Sequence, residues 1–408
     1  MTGQANIARG AIAAIALMGS VTASWAQSPG VTDKEITLGT ILPFSGPASS
    51  YATSGMAGIA YFDKVNAEGG INGRTIKVIS YDDGYSPPKT VEQARKLVES
   101  DEVLMLFSTF GTPTNVAIMK YMNIKKVPQL FVGTGGTIFG DHKKNPWTMG
   151  FRTSYQTEGQ IYAKYLLKTK SDAKIAVLYQ NDDFGKDHLT GLRVGLGEAG
   201  KKMIVAETGY EVSMPTVDSQ VMNLKASGAD VLVLFSSNKF SAQALRKSAE
   251  IGWKPLTFIA GASSSVAAVM KNAGFENVQG VISGAFQKDP DDPQWARDEG
   301  VARWRAFMEK YYPKGDQHDL NVVSGYNSAQ VIEQILKGLG KDVTRARVME
   351  AASSLKDVKL DMLLPGITVN TAITDHYPVE QLQLVKFEGE RWKLFGDIID
   401  GGKIEIAD

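Results

Sequence analysis

The chain has 408 residues, 43% hydrophobic and 22% charged, which is globular composition with room for two domains. Its 44 basic and 44 acidic residues balance, and no basic run of five or more occurs, so the signature of a nucleic-acid binder is absent. There is no cysteine, which excludes disulfides, thiol chemistry and a lipid carried on an N-terminal cysteine.

Arg9 is the one charge in residues 1–26, residues 11–18 are apolar, and Ser24-Trp25-Ala26 has small residues at both positions a signal peptidase reads. Residues 1–26 therefore read as a cleaved secretory signal peptide, too short in its apolar part to span a bilayer. The protein is expected free in a bacterial periplasm. An apolar strand over 36–44 ends in the turn cluster Pro43-Phe44-Ser45-Gly46-Pro47. A helix over 51–68 should bury Met56, Ile59, Ala60, Phe62 and Val65. A strand over 76–81 and a helix over 88–100 follow. Two short apolar runs, 103–107 and 127–132, then end in Ser108-Thr109 and in Gly133-Thr134-Gly135-Gly136-Thr137. Continuous apolar runs bounded by turn residues are buried parallel strands, and Thr112-Pro113 opens a helix after the first.

After a break at 141–147 a second series begins. Helices are expected over 155–168, 189–199, 216–227 and 240–251, and strands over 174–179, 203–210, 231–235, 256–260 and 278–286, with 180–185 as a loop. Asp289-Pro290-Asp291-Asp292-Pro293 interrupts the pattern. Helices over 293–312, 321–339 and 344–354, an extended piece over 363–369 and a hairpin over 378–398 complete the chain. Alternating strands and helices in two series predict an α/β fold with parallel, doubly wound sheets.

Catalytic signatures are missing. No phosphate loop, dinucleotide fingerprint or nucleophile elbow is present; Gly133-Thr134-Gly135-Gly136 has the wrong spacing. His142, His188, His318 and His376 are too dispersed for a local metal motif and read as surface residues. Asp82-Asp83, Asp182-Asp183 and Asp291-Asp292 sit beside Gly, Asn or Pro and read as turn and cap residues. No cofactor, metal or enzymatic activity is expected. In open α/β sheets ligands bind beyond the carboxyl ends of the strands. That places Ser108, Thr109, Gly135 and Thr137 at a site whose hydroxyls and helix-terminal N–H groups favour an anion.

Certain stretches are characteristic: Pro43-Phe44-Ser45-Gly46-Pro47, Asn66-Ala67-Glu68-Gly69-Gly70-Ile71-Asn72-Gly73, Tyr81-Asp82-Asp83 and Tyr179-Gln180-Asn181-Asp182-Asp183-Phe184-Gly185. With these the chain resembles the periplasmic solute-binding proteins of ABC importers, in the leucine/isoleucine/valine-binding protein family. The resemblance implies two Rossmann-like lobes joined by three hinge crossovers, closing on a ligand in the cleft. The crossovers are expected near 152–154, 286–287 and 361. That makes lobe 1 residues 31–153 plus 287–361, and lobe 2 residues 154–286 plus 362–408. It also implies a membrane permease as partner and a monomeric receptor. By the family's pattern Ser108, Gly135 and Thr137 would hold a ligand carboxylate, with Tyr51 as a cleft aromatic. The second lobe departs from that pattern. Ala262 stands where amino-acid binders carry an acid for the α-ammonium, Asn238 replaces an aromatic, and Phe184 stands in place of a tyrosine. An ammonium buried without a partner costs several kcal/mol, so the expected ligand is a small carboxylate without an amine. Its ring would be sandwiched by Tyr51 and Phe184 with Phe110 or Tyr155. The alternatives are a branched-chain or other amino acid, with Asp182 or Asp183 supplying the anion, and a sensor presenting its ligand to a signalling partner.

Overall fold

The computed structural model describes residue 1 and residues 28–403. The expected signal peptide lies outside the described residues. The first sheet is built from β1 (Glu35–Leu42), β2 (Thr75–Asp82), β3 (Leu106–Phe107), β4 (Gln129–Val132) and β5 (Thr148–Gly150). They lie in the order β2-β1-β3-β4-β5, all parallel. The second sheet holds β6 (Ile175–Gln180), β7 (Ile204–Tyr210), β8 (Val231–Phe235), β9 (Leu256–Ile259), β10 (Ile282–Ala285), β11 (Gln381–Glu388) and β12 (Arg391–Asp400). Its order is β12-β11-β10-β9-β8-β6-β7, parallel except where the β11–β12 hairpin pairs antiparallel with β10.

Period-two side-chain alternation gives each sheet two covered faces. In β6 and β8, Ala176, Leu178, Leu232 and Leu234 enter one core, while Ile175, Val177, Val231 and Val233 enter the other. Each lobe is thus a three-layer α/β unit. The chain passes from the first core to the second between Phe151 and Tyr155, and returns near Phe286. The third passage comes later than expected. Met362, Leu363, Leu364, Ile367, Val369 and Val379 pack into the first core, and the chain joins the second sheet only at Gln381. The sequence reading had placed 362–380 with the second lobe, because nothing in this irregular stretch shows which sheet it covers.

Other expectations shift in detail. The run 103–107 keeps only Leu106 and Phe107 as strand, although Leu104 N–H still donates to Thr37 O at 2.9 Å. The segment 180–185 is no loop. Asp182 caps a helix, Asp183–Leu196, by accepting the Phe184 N–H at 3.0 Å. The piece 363–369 forms isolated pairings, Gln287 with Leu363 and Val358 with Val369, instead of a strand. The span 293–312 divides into a short turn, Pro293–Trp295, and a helix, Glu299–Tyr311, because Asp298 caps the second by accepting from Val301 N–H at 2.9 Å. In the helix Ala52–Ala67, Met56 faces solvent, and Tyr61 and Ala57 take the core positions. His188 and His376 are buried, against the expectation of surface histidines, each satisfied through ring hydrogen bonds.

Candidate functional site

Strand ends of the two sheets face one another across a cleft, which encloses a cavity lined from both sides. The first lobe contributes Ala48, Tyr51, Tyr85, Phe110, Gly111, Thr112 and Thr134 to its wall; the second contributes Tyr155, Gln180, Phe184, Ser237 and Ala262, and Arg152 stands at the crossover. Five aromatic rings therefore surround the space. Tyr51 stacks on Phe110 with centroids 4.5 Å apart, and Tyr155 meets Phe184 edge-on at 5.2 Å.

Local structure explains how these side chains converge. β3 ends at Phe107, and Ser108 after it, at φ +49°, turns the chain sharply. Gly111, at φ +99°, then starts the helix Thr112–Lys125, whose N-terminus opens on the cavity. A Cβ at Gly111 would lie 2.5 Å from the Tyr85 ring, so only glycine leaves room for that ring.

The lobes touch across the cleft. Asn238 N–H donates to the Tyr51 hydroxyl at 2.9 Å, and Tyr51 meets Ser263 Oγ at 3.2 Å. Gln180 Nε2 donates to the Tyr85 hydroxyl at 3.3 Å, and Thr137 N–H donates to Asp187 Oδ2 at 2.7 Å. This is the closed arrangement of a hinged pair.

Of the residues singled out from sequence, Tyr51, Tyr155, Phe184 and Ala262 line the cavity; Ser108, Thr109, Gly135, Thr137 and Asn238 are not among its lining residues. The reasons are local. The Ser108 hydroxyl pairs with Ser328 Oγ at 2.7 Å, and Thr109 Oγ1 donates to Asn115 Oδ1. Gly135 lies beneath Tyr155, accepting its N–H at 2.8 Å, and a Cβ there would come within 2.8 Å of the ring. Thr137 N–H already holds a carboxylate, that of Asp187. Asn238 serves through its backbone, on Tyr51. The polar wall of the first lobe is instead Gly111, Thr112 and Thr134, one turn further along. Thr112 Oγ1 lies 2.7 Å from Thr134 Oγ1, which donates to the Tyr155 hydroxyl at 3.2 Å.

Sequence reasoning missed Arg152 and Tyr85. Arg152 is partly buried, with its guanidinium 5.4 Å over the Phe286 ring, and it makes no hydrogen bond or ion pair with any described residue. Among the described residues it is the one charged side chain in the cavity wall, and no aspartate or glutamate lines it. The signal was a lone cation at a strand end between Phe151 and Tyr155. Burial pushes the pKa of Tyr51, Tyr85 and Tyr155 up, so all three phenols stay neutral at physiological pH. Beneath the wall, Glu158 accepts from Gly261 N–H at 2.6 Å and meets His188 Nε2 at 3.4 Å. Burial alone would raise this carboxyl, but the His188 ring and the donors around it hold it below its ordinary value. His188 in turn stacks on Tyr155 at 3.9 Å. No cluster able to hold a metal ion occurs among the described residues.

A family model for periplasmic binding proteins matches residues 35–391. The chain belongs to that family. Among curated relatives, this periplasmic binding protein is 26% identical over 333 residues to Leu/Ile/Val-binding protein homolog 7 of Brucella suis biovar 1, covering 79% of this chain and 81% of that one. Among solved structures, it is similar to a branched chain amino acid ABC transporter protein from Thermus thermophilus with bound valine. That match has a TM-score of 0.81 and 17% identity, and covers 91% of this chain and 97% of the other. It is similar as well to a fatty acid ABC transporter substrate-binding protein from Thermomonospora curvata, with a TM-score of 0.78 and 20% identity over 93% and 97% of the two chains. At such identities the structural matches show the two-lobed fold. The family is one of solute-binding receptors.

Proposed function

We propose that this periplasmic binding protein captures a small aromatic carboxylate by closure of its lobes and delivers it to the permease of an ABC importer. In this reading it works as a monomer in the periplasm, after loss of residues 1–26. The observation that carries the ligand class is the charge of the cavity wall: one unpaired guanidinium, Arg152, and no acid. A partly buried cation in a cavity wall without a counter-ion favours an anionic ligand. Arg152 offers a planar donor fork that matches a carboxylate, and the helix N-terminus at Gly111-Thr112 adds partial positive charge. The aromatic walls favour a ring in the remaining space. Tyr51, Tyr155, Phe184 and Ala262 serve as walls, and Arg152 as the anchor.

A branched-chain amino acid is the second reading, supported by the names of the curated relatives. It needs an acid for the ammonium. The acid beside the wall residues Gln180 and Phe184, Asp182, is already taken by Phe184 N–H and by Gln180 Nε2 at 2.6 Å. A thermal-shift screen of the purified protein against benzoate, cinnamate, leucine, isoleucine and valine separates the two. A ligand at a hundred times its Kd adds about 2.7 kcal/mol and raises the melting midpoint by a few degrees. Stabilisation by the aromatic acids alone supports the carboxylate reading, and stabilisation by the amino acids alone overturns it.

A further inference from the structure

The carboxylate anchor accounts for one polar group of the ligand. The tyrosine hydroxyls of the cavity call for a second. Tyr51 is satisfied. Its oxygen accepts from Asn238 N–H, and its proton goes to Ser263 Oγ, because the Ser263 proton is committed to Ser236 O at 2.5 Å. Tyr155 accepts from Thr134, and Arg152 acts electrostatically on its hydroxyl. Its free proton therefore belongs with the carboxylate anchor.

Tyr85 is different. Its hydroxyl accepts from Gln180 Nε2 at 3.3 Å, and no hydrogen bond joins it to Gln180 Oε1. The second Nε2 proton goes to Asp182 Oδ2 at 2.6 Å, and Gln180 Oε1 accepts from Tyr210 Oη at 3.0 Å. The Tyr85 proton must therefore point away from Gln180, and it meets no acceptor among the described residues. The side chain lines the cavity. Burial keeps the phenol neutral, so it can only donate that proton or leave it unmet.

The chain also carries strain to place this ring. Tyr85 has φ +62°, an uncommon conformation for a bulky residue, held by its N–H donating to Asp83 Oδ1 at 2.8 Å. Asp83 is fixed in turn by the Thr90 hydroxyl at 2.7 Å. Gly111, which a Cβ would drive into the Tyr85 ring, clears the space. A strained backbone, an anchored turn and a glycine all serve one hydroxyl whose proton meets no acceptor among the described residues.

We infer that the ligand is a hydroxylated aromatic carboxylate, whose ring oxygen accepts the Tyr85 hydroxyl proton while its carboxylate meets Arg152, and that Tyr85 sets this specificity. The inference rests on the carboxylate reading above.

The test is calorimetric titration of the full chain and of Tyr85→Phe with two ligand pairs, benzoate against 4-hydroxybenzoate and cinnamate against 4-hydroxycinnamate. Each pair differs only in the ring hydroxyl. Tyr85→Phe also removes the Gln180 contact that helps closure, but this loss falls equally on both members of a pair and cancels in their ratio. In the parent protein the hydroxylated member of at least one pair should bind about five- to fifty-fold tighter. In Tyr85→Phe that ratio should fall below about twofold, with the melting midpoint of the ligand-free protein little changed. An equal ratio in the two proteins overturns the role of Tyr85 and leaves the carboxylate reading standing. Binding of none of the four acids overturns both.

Discussion

Arg152→Gln is the sharpest perturbation of the site. Among the described residues the guanidinium has no partner except the face of Phe286, a contact contributing about 0.5–1 kcal/mol. Its removal should therefore cost the ligand-free fold little. The bound carboxylate would lose a charge-assisted, two-pronged hydrogen bond of about 1.5–3 kcal/mol, which is about 10–150-fold in Kd. Glutamine keeps a donor of similar reach, so the lower half of that range is expected for it, and Arg152→Met should reach the upper half. The assay is calorimetric titration with benzoate and with benzamide, which has the same shape and no charge. The parent protein should prefer benzoate strongly, and Arg152→Met should abolish that preference while its melting midpoint stays within a few degrees. A benzoate Kd that moves less than threefold in both variants would refute the anchoring role and put the anion elsewhere.

Three further outcomes follow from the same geometry. Ser108→Ala should leave ligand affinity within a factor of two and lower stability by about 1 kcal/mol, measured by urea unfolding, since its hydroxyl is bonded to Ser328. Asp187→Ala removes the carboxylate that joins the second lobe to Thr137 N–H, so the closed form should weaken by about 1 kcal/mol. The Kd should then rise about fivefold by the same factor for every ligand, unlike the charge-selective loss at Arg152; a ligand-dependent factor would refute the latch. Asp289 is buried, and burial pushes its carboxyl up to about 6 from the ordinary 3.8. A raised pKa in the folded state means that its charged form destabilises the fold above pH 6. That cost, about 3 kcal/mol at most, is relieved as pH falls from 6 towards 4. Asp289→Asn should therefore unfold at higher urea than the parent at pH 7, with the gap closing by pH 4.

The strands were legible because apolar runs with hard turn boundaries depend on local sequence alone. The runs 231–235 and 256–260 stand in the structure as β8 and β9, within a residue. The Asp182-Asp183 pair read correctly as turn and cap chemistry, but the helix it starts begins six residues earlier than the apolar spacing indicated. The stretch 362–380 misled because irregular chain carries no periodicity to show which core it joins. Within the site, the cleft aromatics were placed and the polar donors misplaced. A strand end was correctly expected at Ser108, yet the positive φ there and at Gly111 carries the wall three residues further on. Backbone turns of this kind decide which hydroxyl faces a cavity, and no side-chain pattern records them.

The family resemblance implied two lobes and a cleft with Tyr51 and Phe184, whereas composition and the two alternating series by themselves determined an α/β fold with parallel sheets, and the rough places of its strands and helices. Each of these depends on properties that a residue carries wherever the chain folds: hydrophobic period, turn propensity and chemical type. The tertiary structure alone decided that Thr137 N–H is held by Asp187, that Arg152 is the unpaired charge, and that the Tyr85 proton is unspent. Whether a polar group is free depends on what lies within hydrogen-bond distance of it, and those neighbours come from distant parts of the chain: residue 187 beside 137, and 180 beside 85.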